Sequence, residues 1–159
     1  MENFDAAIIG AGPAGAAAAI SLAGKGYRVA LIDKEKFPRG KLCGDFINPV
    51  NWPILRELGV ENDLLSSEHG KVRAFRITAC SGEHAEAHLP AQSGGPEFGL
   101  GLSRTIFDLA LLRKAEQKGA VVLQGCRIKS LERESRGWEL LLDHAPGDGE
   151  IRAPVIVGA

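Results

Sequence analysis

The sequence predicts an α/β fold in which an antiparallel β region is inserted into a parallel sheet. Ala6–Ile9 is an apolar run without polar alternation, which is typical of a strand buried on both faces of a parallel sheet. An alanine-rich helical segment follows over Pro13–Ala23, and residues 27–32 form a second apolar strand. Because strand-helix-strand crossovers are right-handed, we expect these two strands to be parallel neighbours. Farther along, residues 71–79 and 83–89 flank a Ser-Gly turn, which predicts an antiparallel hairpin.

The remaining elements are separated by glycine and proline. Pro13 stands where the first turn of a helix tolerates proline, and Gly24 and Gly26 supply its stop signals. Residues 105–118 carry apolar side chains at helical spacing and are followed by Gly119, which predicts a second long helix. The other predicted segments are a charged loop at 34–44, a short helix at 53–58, a loop at 92–101, and strands at 120–124, Arg127–Glu134, 138–143 and 151–157.

Composition and charge describe an ordinary soluble domain. The chain has 159 residues, 45% of them hydrophobic and 25% charged, with a net charge of -1, so nucleic acid or an anionic membrane is not an expected partner. No apolar stretch approaches the roughly 18 residues of a membrane span, and the N-terminus lacks the features of a secretory signal. The three cysteines are widely spaced, which predicts no metal site and fits a reducing cytoplasm.

The strongest functional signal is a G-x-G-x-x-G motif at residues 10–15. It lies directly after the first predicted strand and before the first helix, and Asp33 stands 18 positions beyond Gly15 at the end of the second strand. In this Rossmann-like arrangement Gly10 permits a tight turn, Gly12 lets the backbone approach a pyrophosphate, and Gly15 lets helix and strand pack closely. Strand, helix, second strand and acidic residue in register make the motif specific.

The motif predicts an ADP-containing dinucleotide as the ligand. Unpaired amides and the positive dipole end at the helix start favour a diphosphate, and the Asp33 carboxylate can accept hydrogen bonds from ribose hydroxyls. Since an acid at this position would repel a 2'-phosphate, FAD or NAD fits better than NADP. No lysine follows in the form of an ATP-binding loop. The alternative interpretation is that the glycines form only a tight turn and the alanines serve only close packing.

Two further segments resemble a known family. Residues 36–44, KFPRGKLCG, resemble a signature of the geranylgeranyl-reductase-like flavoproteins of the para-hydroxybenzoate hydroxylase-like superfamily, and residues 103–112, SRTIFDLALL, are similar to that family's R-x-x-F-D-x-x-L helix start. The resemblance implies a Rossmann-like FAD/NAD(P)-binding fold with a parallel sheet, in which an inserted antiparallel β region starting at 60–102 belongs to a substrate domain. It also implies that residues 1–159 are the N-terminal part of an FAD-binding domain, truncated before an Asp-Gly segment that closes the cofactor site.

The resemblance implies a set of FAD contacts, residue by residue. The motif glycines would hold the pyrophosphate, and the acidic residue after the second strand the adenosine ribose. Arg39 and Arg104 would flank the phosphate and ribityl region, where a guanidinium can address oxygen acceptors in a defined plane. Cys43 and Gly44 would lie near the flavin, and the Ile128 backbone near the adenine. The full set of expected cofactor-binding residues is Gly10, Gly12, Pro13, Ala14, Gly15, Asp33, Lys34, Arg39, Lys41, Cys43, Gly44, Arg104 and Ile128.

Several of these residues also have simpler interpretations. Arg39 and Lys41 could form an ordinary solvated pair in the loop, and Arg104 could be surface charge at a helix start. Cys43 could be a passive pocket residue rather than a reactive thiol.

The histidines indicate neither a metal site nor a hydrolase. His84 and His88 would share a face of a helix, but the predicted strand separates them by about 13 Å at roughly 3.3 Å per residue. We therefore expect a solvated face of the hairpin. His69 and His144 have no evident partner in the sequence, and no G-x-S-x-G elbow is present.

The leading hypothesis is an FAD-dependent oxidoreductase, in which protein groups bind, orient and shield a flavin that carries the redox chemistry. The segment itself needs no catalytic acid or base. The reductase resemblance implies an apolar, isoprenoid-like substrate, NAD(P)H as a transient electron donor, and a cytoplasmic enzyme that associates with a membrane surface if its substrate is a lipid. The same scaffold could instead perform hydroxylation or halogenation. Two alternatives remain: an NAD-binding dehydrogenase domain, against which Arg104 and the loop at Arg39 argue, and a non-catalytic nucleotide-binding remnant.

Overall fold

The computed structural model describes residues 2–42, 45–90, 95–143 and 149–159. Its strands are β1 (Glu2–Asn3), β2 (Ala6–Ile9), β3 (Val29–Asp33), β4 (Phe46–Ile47), β5 (Gly70–Val72), β6 (Ala74–Thr78), β7 (His84–His88), β8 (Gly99–Gly101), β9 (Val121–Gln124), β10 (Arg127–Glu134), β11 (Gly137–Asp143), β12 (Gly149–Ala153) and β13 (Val155–Gly158). Its helices are α1 (Pro13–Ala23), α2 (Trp52–Glu57), α3 (Glu61–Ser66) and α4 (Arg104–Gln117), with a 3-10 helix at Pro49–Asn51. None of the helices in these ranges is long and apolar enough to cross a membrane.

A four-stranded parallel sheet carries the glycine motif. Its strand order is β13-β2-β3-β9, and every neighbouring pair is parallel. Ala6 pairs with Val29 on one side and with Val155 on the other, so β2 lies inside the sheet. All residues of β3 are buried, which explains why its sequence is apolar without alternation. The predicted parallel strand-helix-strand unit is confirmed.

One face of the parallel sheet is covered by helices. Ile8 and Leu31 project from the sheet into a buried cluster shared with α1, α2 and α4. The alanines of α1, among them the fully buried Ala16 and Ala19, allow this helix to approach the sheet closely. Each large apolar side chain buried here stabilises the fold by roughly 1.5–3 kcal/mol.

The opposite face of the parallel sheet packs against a second, largely antiparallel sheet with strand order β1-β12-β11-β10. Ala30 and Ile32 alternate with the helix-facing side chains of β3 and contact a separate cluster that includes Leu140 and Ile151. The molecule therefore has three layers, namely helices, parallel sheet and antiparallel sheet. The central layer is buried on both sides, as the apolar runs predict.

Two smaller sheets lie beside these layers. Strand β8 pairs antiparallel with β4 and with β5, and β6 and β7 form the predicted hairpin as a separate two-stranded sheet. Phe75 of the hairpin meets Phe46 edge to face, with ring centroids 5.4 Å apart. These strands supply the predicted antiparallel β region.

Three predicted segments differ from the structure. The strand expected at 71–79 is divided between two sheets, because β5 pairs with β8 while β6 pairs with β7. The single strand expected at 151–157 is two strands in different sheets, because β12 pairs with β11 while β13 pairs with β2. Pro154 separates them and has no N–H to donate to either ladder. The loop expected at 92–101 contains strand β8, which the sequence does not predict because glycine is uncommon in strands. Glycine is required at position 99 because a side chain there would collide with the Phe46 ring. The short elements β1, β4 and α3 are not predicted by the sequence.

Candidate functional site

A cavity of about 740 Å³ opens where β2 and β3 end. Because the carboxyl ends of parallel strands meet at one edge of the sheet, the glycine motif and Asp33, the last residue of β3, lie side by side on one cavity. Of the predicted site residues, those that line the cavity are Gly10, Gly12, Pro13, Ala14, Asp33, Lys34, Arg39, Lys41 and Ile128. Seven other residues line the cavity that the sequence did not single out as site residues, namely Ile9, Ile32, Glu35, Gly40, Cys126, Arg127 and Ala159.

The three motif glycines have different roles in the turn. Gly10 has a φ of +106°, and a side chain there would overlap the carbonyl oxygen of Ala159. A Cβ at Gly15 would overlap the carbonyl oxygen of Gly10 and would lie 3.1 Å from the Cβ of Ala159. At Gly12 the nearest atom to an added Cβ is a terminal guanidinium nitrogen of Arg39, 3.8 Å away. Gly10 and Gly15 are therefore required by the turn and its packing, whereas Gly12 faces the open space of the cavity.

The start of α1 presents free backbone donors to this cavity. Gly12 is the N-cap residue, and no side chain caps the helix. The first turn also contains no acidic residue. Uncapped amide groups and the positive end of the helix dipole make such a terminus suitable for an anionic group.

Asp33 is buried beside the glycine turn, with 8% of its surface exposed. One carboxylate oxygen accepts a hydrogen bond from the Ala11 amide at 2.8 Å, and the other accepts one from the Glu35 amide at 2.9 Å. Each oxygen of a carboxylate has a further lone pair that can accept a hydroxyl. Asp33 therefore ties the glycine turn to β3 and still offers acceptors to a ligand.

Arg39 reaches the cavity from the loop after β3. The loop is held by the Phe37 amide, which donates to the Gln124 side chain at 2.7 Å, and by the Thr105 hydroxyl, which donates to the Arg39 carbonyl at 3.4 Å. The guanidinium lies over the Phe37 ring, 4.9 Å from its centroid. Its Nε is buried without a hydrogen-bond partner among the described residues. The solvated interpretation of Arg39 is therefore wrong, since only 13% of its side chain is exposed.

Arg104 lies behind the cavity rather than on its wall. Its Nε and Nη2 donate to the two carboxylate oxygens of Asp108, at 2.7 and 2.9 Å. Asp108 is fully buried and lies one helical turn after Arg104 on α4. Sequence reasoning missed Asp108, although an acidic residue four positions after an arginine on a helix is a recognisable signal for such a pair.

The remaining predicted site residues fall into two groups. Gly15 lies under the turn and serves packing, as described above. Cys43 and Gly44 lie outside the described residues.

Cys126, on the cavity wall, is expected to react slowly with alkylating reagents. It is 2% exposed, and burial raises the pKa of its thiol, so less of the reactive thiolate forms at a given pH. Cys80 is exposed. We expect iodoacetamide at pH 8 to modify Cys80 at least about tenfold faster, as measured by peptide mass spectrometry. The difference should disappear in denaturant, and equal rates in the native chain would contradict this placement of Cys126.

The strand-helix-strand unit, its glycine turn and the cavity at the end of β2 and β3 together have the features of a dinucleotide-binding domain. An FAD-sized group is compatible with the open space over Gly12 and with the unsatisfied donor of Arg39. The chain belongs to the FAD-binding domain family, whose model matches residues 3–159. FAD is thus the cofactor of this domain family.

Relatives of the chain include two reductases. It is 34% identical over 146 residues to menaquinone reductase from Mycobacterium tuberculosis, covering 92% of this chain and 35% of the relative. It is 30% identical over 162 residues to digeranylgeranylglycerophospholipid reductase from Methanosarcina acetivorans, covering 99% of this chain and 38% of the relative. The chain therefore spans somewhat more than a third of the length of these relatives, at 35% and 38%.

Solved structures of this architecture include a halogenase. The chain superimposes on the myxobacterial chondrochloren halogenase, a FAD-dependent halogenase, with a TM-score of 0.88 at 26% identity, covering 100% of this chain and 37% of that one. It also superimposes on a flavoprotein/dehydrogenase from Cytophaga hutchinsonii with a TM-score of 0.85 at 26% identity, covering 99% and 39% of the two chains. The α/β fold with its parallel sheet and antiparallel strands is thus shared with FAD-dependent proteins of differing chemistry.

Proposed function

We propose that FAD binds in the cavity with its diphosphate over the start of α1 and its adenosine ribose at Asp33. The observation that carries this proposal is that an uncapped helix start and the Asp33 carboxylate lie side by side on one cavity. Backbone amides at Gly12 and Ala14 would bind phosphate oxygens, and the free donors of Arg39 would add a charged contact. The Asp33 oxygens would accept the ribose hydroxyls.

The two ends of the cofactor are assigned by the residues at either side of the diphosphate. Lys34 and the Ile128 backbone line the cavity and would lie near the adenosine. Lys41 also lines it and would lie toward the flavin with Cys43 and Gly44. Arg104 would act near the phosphate and ribityl region through its neighbours, since its own guanidinium is bound to Asp108.

As part of a whole protein, the chain would serve an FAD-dependent oxidoreductase. The flavin supplies hydride transfer when bound, and this chain's residues bind it, orient it and exclude water from it. Residues 1–159 would form the N-terminal part of the FAD-binding domain, with 60–102 beginning a substrate domain. An apolar, isoprenoid-like substrate is supported by the names of the two reductase relatives. NAD(P)H would be the transient electron donor, and the protein would work in the cytoplasm, at a membrane surface if the substrate is a lipid.

A second candidate is a flavin-dependent halogenase or monooxygenase. The superposition on the chondrochloren halogenase favours it, with a TM-score of 0.88 over the whole chain. Anaerobic and aerobic reoxidation of the reduced, FAD-loaded protein separates the two candidates. Rapid reoxidation by a quinone or a polyprenyl acceptor without oxygen supports the reductase, whereas reoxidation only by oxygen supports the halogenase or monooxygenase.

An FAD titration with Arg39→Met tests the binding proposal. We expect the unaltered chain to bind FAD, measured by quenching of flavin fluorescence, and the variant to bind about tenfold or more weakly because a charged hydrogen bond is lost. Arg28→Met is the matched control, since Arg28 also lies over a phenylalanine ring, 4.8 Å from the Phe4 centroid, but at the surface. Its affinity should not change.

Two outcomes would count against the proposal. The first is an unaltered chain that binds NAD more tightly than FAD in the same assay, which would favour a dehydrogenase domain. The second is equal FAD affinity for the Arg28 and Arg39 variants.

A further inference from the structure

Arg39 and Arg104, the two arginines of the predicted site, differ in the hydrogen bonds that their guanidinium groups donate. Arg104 makes two charge-assisted hydrogen bonds to Asp108, at 2.7 and 2.9 Å. Arg39 makes no such bond within the described ranges: its Nη1 is 3.5 Å from Asp108, and its Nη2 is 3.9 Å from Asp33. Since charge-assisted bonds of this type measure about 2.7–2.9 Å, both Arg39 distances are ion pairs without a hydrogen bond. Arg39 is held by charge while its donors stay available.

Asp108 is the residue that connects these two arginines. It is fully buried on α4, where a carboxylate is costly unless it is paired and hydrogen-bonded. Arg104 meets that requirement by binding both of its oxygens. The Asp108 oxygen nearer to Arg39, Oδ2, already accepts a hydrogen bond from Arg104. It therefore attracts the Arg39 guanidinium only by charge, at 3.5 Å.

The position of Arg39 follows from this balance. Asp108 on α4 and Asp33 on β3 both attract the Arg39 guanidinium. One face of the guanidinium also packs on the Phe37 ring. In this position a terminal nitrogen lies near Gly12, 3.8 Å from the place of an added Cβ. The guanidinium is thereby held beside the uncapped start of α1.

We infer that Asp108 is a positioning residue for cofactor binding, which holds Arg39 over the glycine turn with its donors directed to the diphosphate. Asp108 does not line the cavity and acts only through Arg39. Arg104 neutralises Asp108 and so prevents it from drawing Arg39 into a direct hydrogen bond away from the cavity. The inference rests on the proposed FAD-binding function.

The test is an Asp108→Asn substitution, which keeps the shape of the side chain and removes its charge. We expect FAD affinity to fall about tenfold, the size of one charge-assisted hydrogen bond. In an Arg39→Met background the same substitution should have no further effect, because Arg39 is then absent. Asp63→Asn is the control: Asp63 also pairs with α4, through Lys114 at 3.5 Å, but lies half exposed away from the cavity.

A ligand comparison separates positioning from a general loss of structure. Binding of ADP, which carries the diphosphate, should weaken in Asp108→Asn, while binding of adenosine, followed by NMR, should stay unchanged. Arg104→Lys provides a second variant in case Asp108→Asn fails to fold, because it keeps a cation beside the buried carboxylate but lacks the two-pronged hydrogen bonding of the guanidinium. It should also weaken ADP binding, again only when Arg39 is present, although Arg104 is not on the cavity wall.

The outcomes distinguish the two ideas. If the unaltered chain binds neither FAD nor ADP, the proposed function fails and the inference fails with it. If the unaltered chain binds FAD but Asp108→Asn binds it equally well, only the positioning role is overturned. The positioning role is also overturned if the losses of FAD affinity from Asp108→Asn and Arg39→Met are additive. A parallel loss of adenosine and ADP binding in Asp108→Asn would overturn it as well. Both results indicate that the Asp108 carboxylate has a purely structural role.

Discussion

A Gly15→Ala variant should lose about 3 kcal/mol or more of unfolding free energy, because overpacking against backbone forces the turn to move. The added methyl would overlap the Gly10 carbonyl oxygen and would lie 3.1 Å from the Cβ of Ala159. Neither neighbour is the end of a flexible side chain. FAD binding should be lost as well, since the displaced turn no longer presents its amides. Urea unfolding followed by circular dichroism and a flavin fluorescence titration measure the two effects.

Gly12→Ala is the matched control in the same turn. Gly12 has φ -70° and ψ -176°, which any residue adopts, and its added methyl approaches only Arg39. Stability should therefore stay within about 1 kcal/mol, whereas FAD affinity should fall about tenfold or more because the methyl occupies the approach to the amides. A stable Gly15→Ala chain, or a Gly12→Ala chain with full FAD affinity, would show that the turn is assigned wrongly.

Asp33→Ala should lower both stability and cofactor affinity. Two backbone donors, the amides of Ala11 and Glu35, lose their acceptor. Leaving two such groups unsatisfied costs about 2–6 kcal/mol in unfolding free energy, at about 1–3 kcal/mol each. We also expect FAD and adenosine to bind at least about tenfold more weakly, because the ribose hydroxyls lose their acceptors. The loss of adenosine binding distinguishes this variant from those that affect the diphosphate.

Asp5→Ala is the control for Asp33→Ala, since it also removes a carboxylate that accepts a hydrogen bond from a backbone amide. Asp5 accepts the Arg28 amide at 2.7 Å, but it is exposed and remote from the cavity lining. Its replacement should cost at most about 1 kcal/mol and leave FAD affinity unchanged. If Asp33→Ala keeps full affinity for FAD and adenosine, its role is limited to supporting the turn.

Much of the site lies in a segment whose geometry is local. The Gly10–Gly15 turn, the helix start behind it and the carboxylate of Asp33 follow from a strand-helix-strand unit with glycines at fixed positions. For this reason most of the predicted cofactor residues do line one cavity. The family resemblance added Arg39, which motif spacing could not have placed there.

Other parts of the site depend on chain segments far apart in sequence. Asp108 comes next to Arg39 only because α4 packs beside the loop that follows β3. Ala159 reaches the glycine turn because β13 pairs with β2. A periodic pattern reports which face of an element is apolar, but not which other element covers it.

The amino-acid pattern thus determined the α/β class, the parallel strands and the glycine turn between β2 and α1, because these depend on backbone preferences and on burial within a short stretch. Tertiary packing alone decided that residues around Pro154 divide between two sheets and that Arg39, rather than Arg104, reaches the cavity. The physical reason is that Arg39 and Arg104 both face the Asp108 carboxylate, and only Arg104 forms hydrogen bonds with it. Arg104 satisfies the buried Asp108 from its own helix, so Arg39 lies at 3.5 Å from Asp108 without a hydrogen bond to it and lines the cavity.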